Sequence, residues 1–347
     1  MTRASVRGSR GLYDAAQNRP AGTRDGVDLA LTIEHLDDAT VESAGGLVAR
    51  EHAAARRSHP ALPASYDSAE ACTAVLKGLL DSGYSGVVVV EDGRVLAVMT
   101  GMVRDSRIVG SYLRLPADGF AVDPDLADPT RVLALAYGEL APRFIAAGVL
   151  HHYLTHVSLP PLSEAVSNLA FARNACYAVR PAAPRRGSTA VGVRAGDVED
   201  LDTIARLSLV ELRHRSTSPL FGVPDSRSVA DLVEQHRALH DAGAIHLLAT
   251  LDGQDVGLLT IELTSPAPRL YVDAEPYIGP TATLPEARGR GVGHALVDAA
   301  LDWAQGHGYR WVSVDFQPAN PLSRPFWLGA GFRPTGYGVL RTIDAEL

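Results

Sequence analysis

Apolar positions recur along this chain at two spacings, every second residue and every third or fourth, and the same series of spacings runs through it twice. The first passage predicts a strand near 29–35, a helix with apolar positions around Leu47 to Ala55, and a helix over 68–82 with Ser68 as its N-cap. A hairpin follows, Gly86 to Glu91 and Val95 to Val103, across Asp92-Gly93, a dipeptide that suits a two-residue turn. The second passage predicts a strand near 189–195, a helix from Leu201 to Leu212, and a helix over 228–242 capped by Ser228. Its hairpin is Ile245 to Leu251 and Val256 to Leu263, across Asp252-Gly253. A further strand, a helix and a closing strand complete each passage.

The two passages superpose at an offset of 160 residues, which lays Ser68 on Ser228, Asp81 on Asp241, Gly83 on Gly243 and Glu51 on Glu211. Farther along the offset is 161, with Pro124 on Pro285 and Phe171 on Phe332. A single one-residue slip over about 140 residues marks a tandem repeat rather than scattered identities. The expected organisation is a lead-in tail over 1–28, an α+β domain over 29–180, a Pro- and Arg-rich linker over 181–188 and a second α+β domain over 189–347.

Composition narrows the classes of function. The 347 residues suffice for two domains, and the formal charge of −8 gives no general attraction to nucleic acid or an anionic membrane. Lys77 is the only lysine among 32 basic residues. Apolar strings such as Val87 to Val90 fall far short of the ~20 residues a bilayer span needs. The first 28 residues carry five Arg and three Asp without an apolar core, unlike a signal peptide. Cys72 and Cys176 show no metal spacing, so a soluble, cytoplasmic protein with buried thiols is expected.

Chemistry concentrates in the second passage. The strand-like stretch Tyr277 to Leu284 runs through Pro285-Glu286-Ala287 into Arg288-Gly289-Arg290-Gly291-Val292-Gly293, and a helix follows from His294 to Gln305 with Leu296, Val297, Ala300, Leu301 and Ala304 on one face. Glycines at a strand-to-helix turn let backbone N–H groups converge, and the helix N-terminus adds its dipole, an arrangement suited to a pyrophosphate. No Gly-Lys-Ser/Thr is present, which excludes a nucleotide P-loop. A dinucleotide fingerprint fails where His294 replaces its third glycine, although Asp315 stands 24 residues beyond Gly291.

Arg288, Gly291 and Gly293 match the Arg-x-x-Gly-x-Gly/Ala turn of the GNAT superfamily of acyl-CoA-dependent N-acyltransferases. Asn320, Ser323, Phe326-Trp327 and Gly331-Phe332 match its second signature. The resemblance covers 190–345 closely and, through the repeat, 29–187 in outline. It implies two tandem GNAT-like domains, each a twisted, mostly antiparallel sheet flanked by helices and opened into a V between its fourth and fifth strands. Acetyl-CoA, as co-substrate, would lie in that cleft without a metal. Its pyrophosphate would meet the backbone of Arg288, Gly289, Arg290, Gly291, Val292, Gly293 and the following His294. Its pantetheine would run beside Thr281 to Leu284, Thr283 and Leu284 included, with Asn320, Ser323 and Phe326 along its arm. The implied partner is a small-molecule or peptide primary amine, with no nucleic acid or membrane partner, and the chain a monomer or homodimer.

The same mapping shows what the first passage lacks. Arg288, Gly289, Arg290, Gly291 and Gly293 fall on Ala127, Asp128, Pro129, Thr130 and Val132, a set that removes an N–H donor, blocks backbone approach and repels phosphate. The first domain is therefore expected to be a degenerate copy that supports the second. His151, His152 and His156 alternate across a strand and are expected to serve packing and surface.

Attack on a thioester needs a neutral amine, and an amine of pKa ~10.4 is only about one part in 10³ neutral at pH 7. In ribosomal-protein acetyltransferases of that superfamily a Glu five residues before the Asn serves as base, and the resemblance puts Asp315, one methylene shorter, at that position here. Glu275 is a second candidate base, and Asp273 and Glu262 are further ones. Trp327 stands where many members have a proton-donating tyrosine, which leaves Tyr337, Tyr271 and Tyr277 as substitutes. Arg213, Arg215 and Arg227, between the first two helices, would favour an anionic group on the acceptor. The expected activity is direct acetyl transfer to an amine. A CoA-liganded sensor or scaffold without turnover, and an O-acyltransferase using another acyl-CoA, remain alternatives.

Overall fold

A computed structural model describes residues 31–106, 110–183, 191–263, 268–271 and 275–344. The expected tail and most of the expected linker lie outside these residues, as does Asp273. In the first half the strands are β1 (Thr32–His35), β2 (Ser85–Glu91), β3 (Arg94–Ser106), β4 (Gly110–Leu115), β5 (Phe120–Val122), β6 (His151–Val157) and β7 (Ala172–Pro181). Its helices are α1 (Val41–Ser58), α2 (Ala69–Asp81), α3 (Thr130–Leu140), α4 (Pro142–Ala146) and α5 (Pro160–Asn168). The second half supplies β8 (Gly192–Gly196), β9 (Ile245–Leu251), β10 (Gln254–Glu262), β11 (Tyr277–Thr283), β12 (Trp311–Phe316) and β13 (Arg333–Thr342). Its helices are α6 (Leu201–Arg215), α7 (Val229–Asp241), α8 (Val292–Gly306) and α9 (Ser323–Gly329).

Local chemistry places the ends of these elements. Ser68 and Ser228 accept from the N–H groups of Ala71 and Asp231, and Asp231 bonds back to Ser228 in a capping box. Both hairpins turn through an Asp-Gly pair with positive φ, +47° and +77° at Asp92-Gly93, +52° and +79° at Asp252-Gly253. Positive φ at both central residues is the turn that matches strand twist. On α8 the expected apolar stripe, Leu296, Val297, Ala300, Leu301 and Ala304, is buried throughout.

The repeat extends to strand register. Thr32 faces Val90 as Gly192 faces Thr250, and Ala97 faces Val122 as Gly257 faces Thr283. The one-residue slip is the sum of two larger differences. Met102 pairs Arg114 whereas Glu262 pairs Tyr277, so the connection is three residues longer in the second half. The first half then spends two more residues, through the short helical turn Ala117–Gly119, before its register matches again at Phe120 and Thr281.

Thirteen strands form one sheet, ordered β1-β2-β3-β4-β6-β13-β7-β12-β11-β10-β9-β8, with β5 paired to β3. Among the described strands only β4–β6 and β11–β12 are parallel. The closing strands are exchanged: β7, from the first half, pairs β12, and β13, from the second, pairs β6. Leu31–Leu347 is accordingly one compact unit. Pro181, expected to open the linker, ends β7, and Arg180 beside it is buried and donates to the carbonyl of Ala330 at 2.5 Å. Cys72 and Cys176 are buried free thiols. Among the described residues no helix is long and apolar enough to cross a membrane.

Candidate active site

β11 and β12 pair at only two positions, Tyr277 with Ser313 and Ile278 with Val314. Beyond these the two strands diverge. β11 runs on to Thr283 and β12 to Phe316, which leaves a wedge whose facing strand edges are unpaired. A β-bulge at Gly279–Pro280, seen as the register shift between Leu259 and Ile261, turns the β11 backbone at the mouth of the wedge.

The wide end meets the glycine-rich loop. Gly289 and Gly291 have φ of +74° and +86°, a region that disfavours any side chain with a Cβ. Gly291 is the N-cap of α8 and offers no side-chain acceptor, so the N–H groups of Val292, Gly293 and His294 open the helix unbonded within it. A Cβ on Gly293 would lie 3.0 Å from the Phe326 ring, which itself stands edge-on to His294. Arg288 is exposed, and Arg290 is paired with Asp252 at 2.9 Å. Thr283 pairs Gly257, and Leu284 donates its N–H to Val256 at 2.9 Å, so β10 takes one edge of this stretch.

Asn320 caps α9: its Oδ1 accepts from the N–H groups of Leu322 (2.9 Å) and Ser323 (3.2 Å). The same oxygen lies 3.4 Å from Nε2 of His214, on the last turn of α6. Among the described residues the buried Ser323 hydroxyl has no partner. Trp327 packs edge-on to Phe326 and Phe332 in the core. An open anion-binding turn, a close-packed Gly293 and an unsatisfied Ser323 suit an elongated, phosphate-bearing thioester.

At the narrow end, immediately past the last paired residue, stands Asp315. Its Oδ1 accepts from the phenols of Tyr277 and, at 3.5 Å, Tyr271. Both bonds go to one oxygen, which leaves Oδ2 without a partner among the described residues. Burial, reinforced by the Asp315 charge, holds both phenols far above the ordinary tyrosine range. Both donate to the Asp315 carboxylate. Tyr177, opposite Asp315 on β7, packs edge-on to Tyr271 and shares a hydroxyl contact of 3.1 Å with Tyr153 of β6. The exchanged strand β7 thus carries the tyrosine wall into the first half, where it borders a cavity of about 200 Å³.

Two more carboxylates face this point. Glu262 folds over Gly279, where a Cβ would lie 2.0 Å from its Oε1. Burial, then the Asp315 charge, pushes its carboxyl above the ordinary value. Glu211 of α6 is raised by burial as well, with Arg215 one turn on offsetting part of it and Asp315 adding to it. Three acids act on one another here, offset in part by Arg215, His214 and Arg227, and leave the pocket acidic.

Other expected residues lie elsewhere. The Glu275 carboxylate accepts from the backbone N–H groups of Arg310 and Trp311, bracing the start of β12 at the closed end of the strands, so it does not join Asp315. Tyr337 is one residue from Gly336, which faces Tyr177, and so points to the opposite side of the sheet, under the Arg173 guanidinium. A second concavity, about 550 Å³, lies on that side against α5 and holds none of these acids. Arg215 and Arg227 are tied to Glu211 and Asp225, which removes them as free anion receptors. His152 bonds Tyr137 and the carbonyl of Val149, and His156 the carbonyl of Val157. In the first half, α3 opens with Pro129 as its N-cap, and the Asp128 carboxylate accepts from the Thr130 N–H at 2.9 Å. Its own chain closes that anion site.

Sequence reasoning passed over Glu211, His214 and Arg269. Only Glu211 left a signal, its alignment with Glu51 in the repeat.

The acetyltransferase (GNAT) family profile matches residues 207–332, which span the wedge, its loop and the acidic pocket. The chain is 33% identical over 89 residues to an aminoglycoside N(6')-acetyltransferase type 1 of Klebsiella aerogenes, covering 26% of this chain and 59% of that protein. Two solved structures share the fold at 17% identity: a tandem GNAT protein from the clavulanic acid biosynthesis pathway (TM-score 0.50, 91% of this chain and 99% of that one) and a GCN5-related N-acetyltransferase from Sphaerobacter thermophilus (TM-score 0.56, 91% and 96%). The acetyltransferase (GNAT) profile thus lies on the wedge and its loop, and the doubled fold is shared with these two structures across about nine-tenths of the chain.

Proposed function

We propose that the protein transfers the acetyl group of acetyl-CoA directly to a primary amine of a small, cationic acceptor. The observation that carries this reading is the wedge between β11 and β12, with an anion-binding turn at its wide end and Asp315 at its narrow end. Residues 189–347 carry the reaction and 29–180 form the copy that has lost its anion site. The turn of 288–293 takes the pyrophosphate, and the facing edges of β11 and β12 take the pantetheine arm beside Ser323 and Phe326.

Asp315 is the base in this reading. The two phenols fix its orientation through Oδ1, and Oδ2 is left for the ammonium or an intervening water. Removing that proton at pH 7 costs roughly 4–5 kcal/mol in solution. A carboxylate beside the amine recovers part of this as the nitrogen forms its bond to the carbonyl carbon and the thiolate departs. A thiolate with pKa ~8.5, by analogy with cysteine, leaves without a dedicated acid. An acidic pocket favours an acceptor with positive charge, and the aminoglycoside-modifying relative is named for such a substrate.

Asp315→Asn keeps the size and the acceptor for Tyr277 but removes basicity. It is expected to bind acetyl-CoA normally and lose ~10²-fold or more in turnover at pH 7, recovering at higher pH as free amine appears. Near-normal turnover at pH 7, followed by release of free CoA across a panel of amines, would remove Asp315 from this role.

A further inference from the structure

In the first half, the place equivalent to the acidic pocket is already filled. Glu51 is the eleventh residue of α1, as Glu211 is of α6, and the repeat lays one on the other. Glu51 is 1% exposed, accepts from the Val122 N–H at 2.8 Å and pairs with the Arg269 guanidinium at 2.8 Å. Arg269 is also 1% exposed and donates to the carbonyls of Ala117 (2.5 Å), Phe120 (2.7 Å) and Val48 (3.2 Å). It comes from the other half, on the fourteen-residue connection 263–276 between β10 and β11. One carboxylate and three carbonyl oxygens make a cage for a planar cation.

The backbone positions of that cage have counterparts in the second half. The offsets that align the strand registers place Val48 on Ser208, Phe120 on Thr281 and Val122 on Thr283. Among the described residues Glu211 has one ion-pair partner, Arg215 on its own helix, 53% exposed, and the charges of His214 and Arg227 also act on it. The loop after each helix differs in the same sense. Ala61 and Leu62 are buried in the first half, with Arg56 holding the Leu62 carbonyl at 2.9 Å, whereas Phe221, aligned with Ala61, is 74% exposed. Among the described residues the first half is the filled, covered copy, and the loop after α6 is uncovered at Phe221.

We propose that the acceptor carries a second cation besides the amine that is acetylated, a guanidinium or a distal ammonium. Glu211, with the carbonyl oxygens of Ser208 and Thr281, holds it as Glu51, Val48 and Phe120 hold Arg269. Glu211 is then a specificity-determining residue, and the inference rests on the acetyl-transfer reading of the same site.

The test compares agmatine, which has a primary amine and a guanidinium, with pentan-1-amine, which has the amine alone. The wild-type protein is expected to favour agmatine in kcat/KM by roughly 10- to 100-fold, the worth of a charge-assisted hydrogen bond. Glu211→Gln should bring that ratio towards one, chiefly through KM, and Glu211→Asp should restore part of it. A wild-type ratio near one, or a ratio unchanged in Glu211→Gln, overturns the inference. Calorimetric titration of agmatine into the CoA-bound protein separates this from failure of acetyl transfer itself. Binding that Glu211→Gln abolishes supports the cation site even if neither amine is acetylated, and then counts only against the transfer reading. Wild-type protein that binds no agmatine overturns the cation site.

Discussion

Arg269→Met leaves the Glu51 carboxylate buried against an apolar thioether, and the carbonyls of Ala117 and Phe120 without this donor. Methionine keeps most of the aliphatic stem, so the cost is dominated by the unpaired charge and not by a void. Breaking a fully buried ion pair from one side costs about 3–5 kcal/mol. Against a typical domain stability of ~5–15 kcal/mol that is a large share, which a lower midpoint in urea would report. Glu51→Leu on top of Arg269→Met removes the stranded charge, and the double variant should be the more stable of the two. The sign of the pH dependence follows from Glu51. Burial raises its carboxyl above 4.5, and loss of Arg269 raises it further. A group whose folded pKa lies above its unfolded value is neutral and harmless below the unfolded value, and its stability contribution is lost as pH rises towards the folded one. The deficit of Arg269→Met against wild type should therefore deepen between pH 5 and pH 8, by at most about 1.4 kcal/mol per pH unit. A deficit under ~1 kcal/mol, or one that shrinks as pH rises, would refute the assignment of Arg269 and Glu51 as a charged, buried pair.

Two further outcomes concern acetyl-CoA. Gly291→Val forces a β-branched side chain onto φ +86° at the N-cap of α8, so CoA affinity should fall at least ~10-fold and by more than in Arg288→Ala, which removes only an exposed side chain; equal losses, measured by titration calorimetry on folded protein, would contradict a backbone-mediated site. The same calorimetry should return one acetyl-CoA per chain, because Asp128 and Pro129 close the N-terminus of α3, and a second equivalent site would contradict that reading.

Local physics made much of this legible. Ser68, Ser228 and the two Asp-Gly turns act through neighbouring backbone, and the glycines of 288–293 declare a conformation that few other residues tolerate. Asp315 followed from its place in a motif, and the structure adds why that strand end matters, since pairing with β11 stops one residue before it. Glu275 illustrates the limit. A carboxylate near the start of a strand reads the same whether it faces a cleft or caps the backbone of the neighbouring strand, as it does at Arg310 and Trp311. Arg269 sits in a polar stretch like any surface arginine, and only tertiary structure shows the oxygen cage around it. The exchange of closing strands was hidden for a similar reason. β7 and β13 come from copies of one pattern, and nothing within either strand says which sheet it completes.

That exchange explains what the first half contributes once its anion site is closed. Residue by residue, β12 draws its outer hydrogen bonds from β7, Trp311 opposite Pro181 through Phe316 opposite Cys176. Without the first half, β12 would present an unpaired edge at the strand that carries Asp315. β13 would likewise lose both neighbours, β6 and β7. The debt runs the other way too: Arg269, two residues before Tyr271, is anchored in the first half by Glu51, so the arm that brings one of the two phenols to Asp315 is moored outside its own repeat. β7, Tyr177 and the mooring of Arg269 thus reach the strand end that carries Asp315 from the first half, so a chain cut between the halves would leave open edges on β12 and β13.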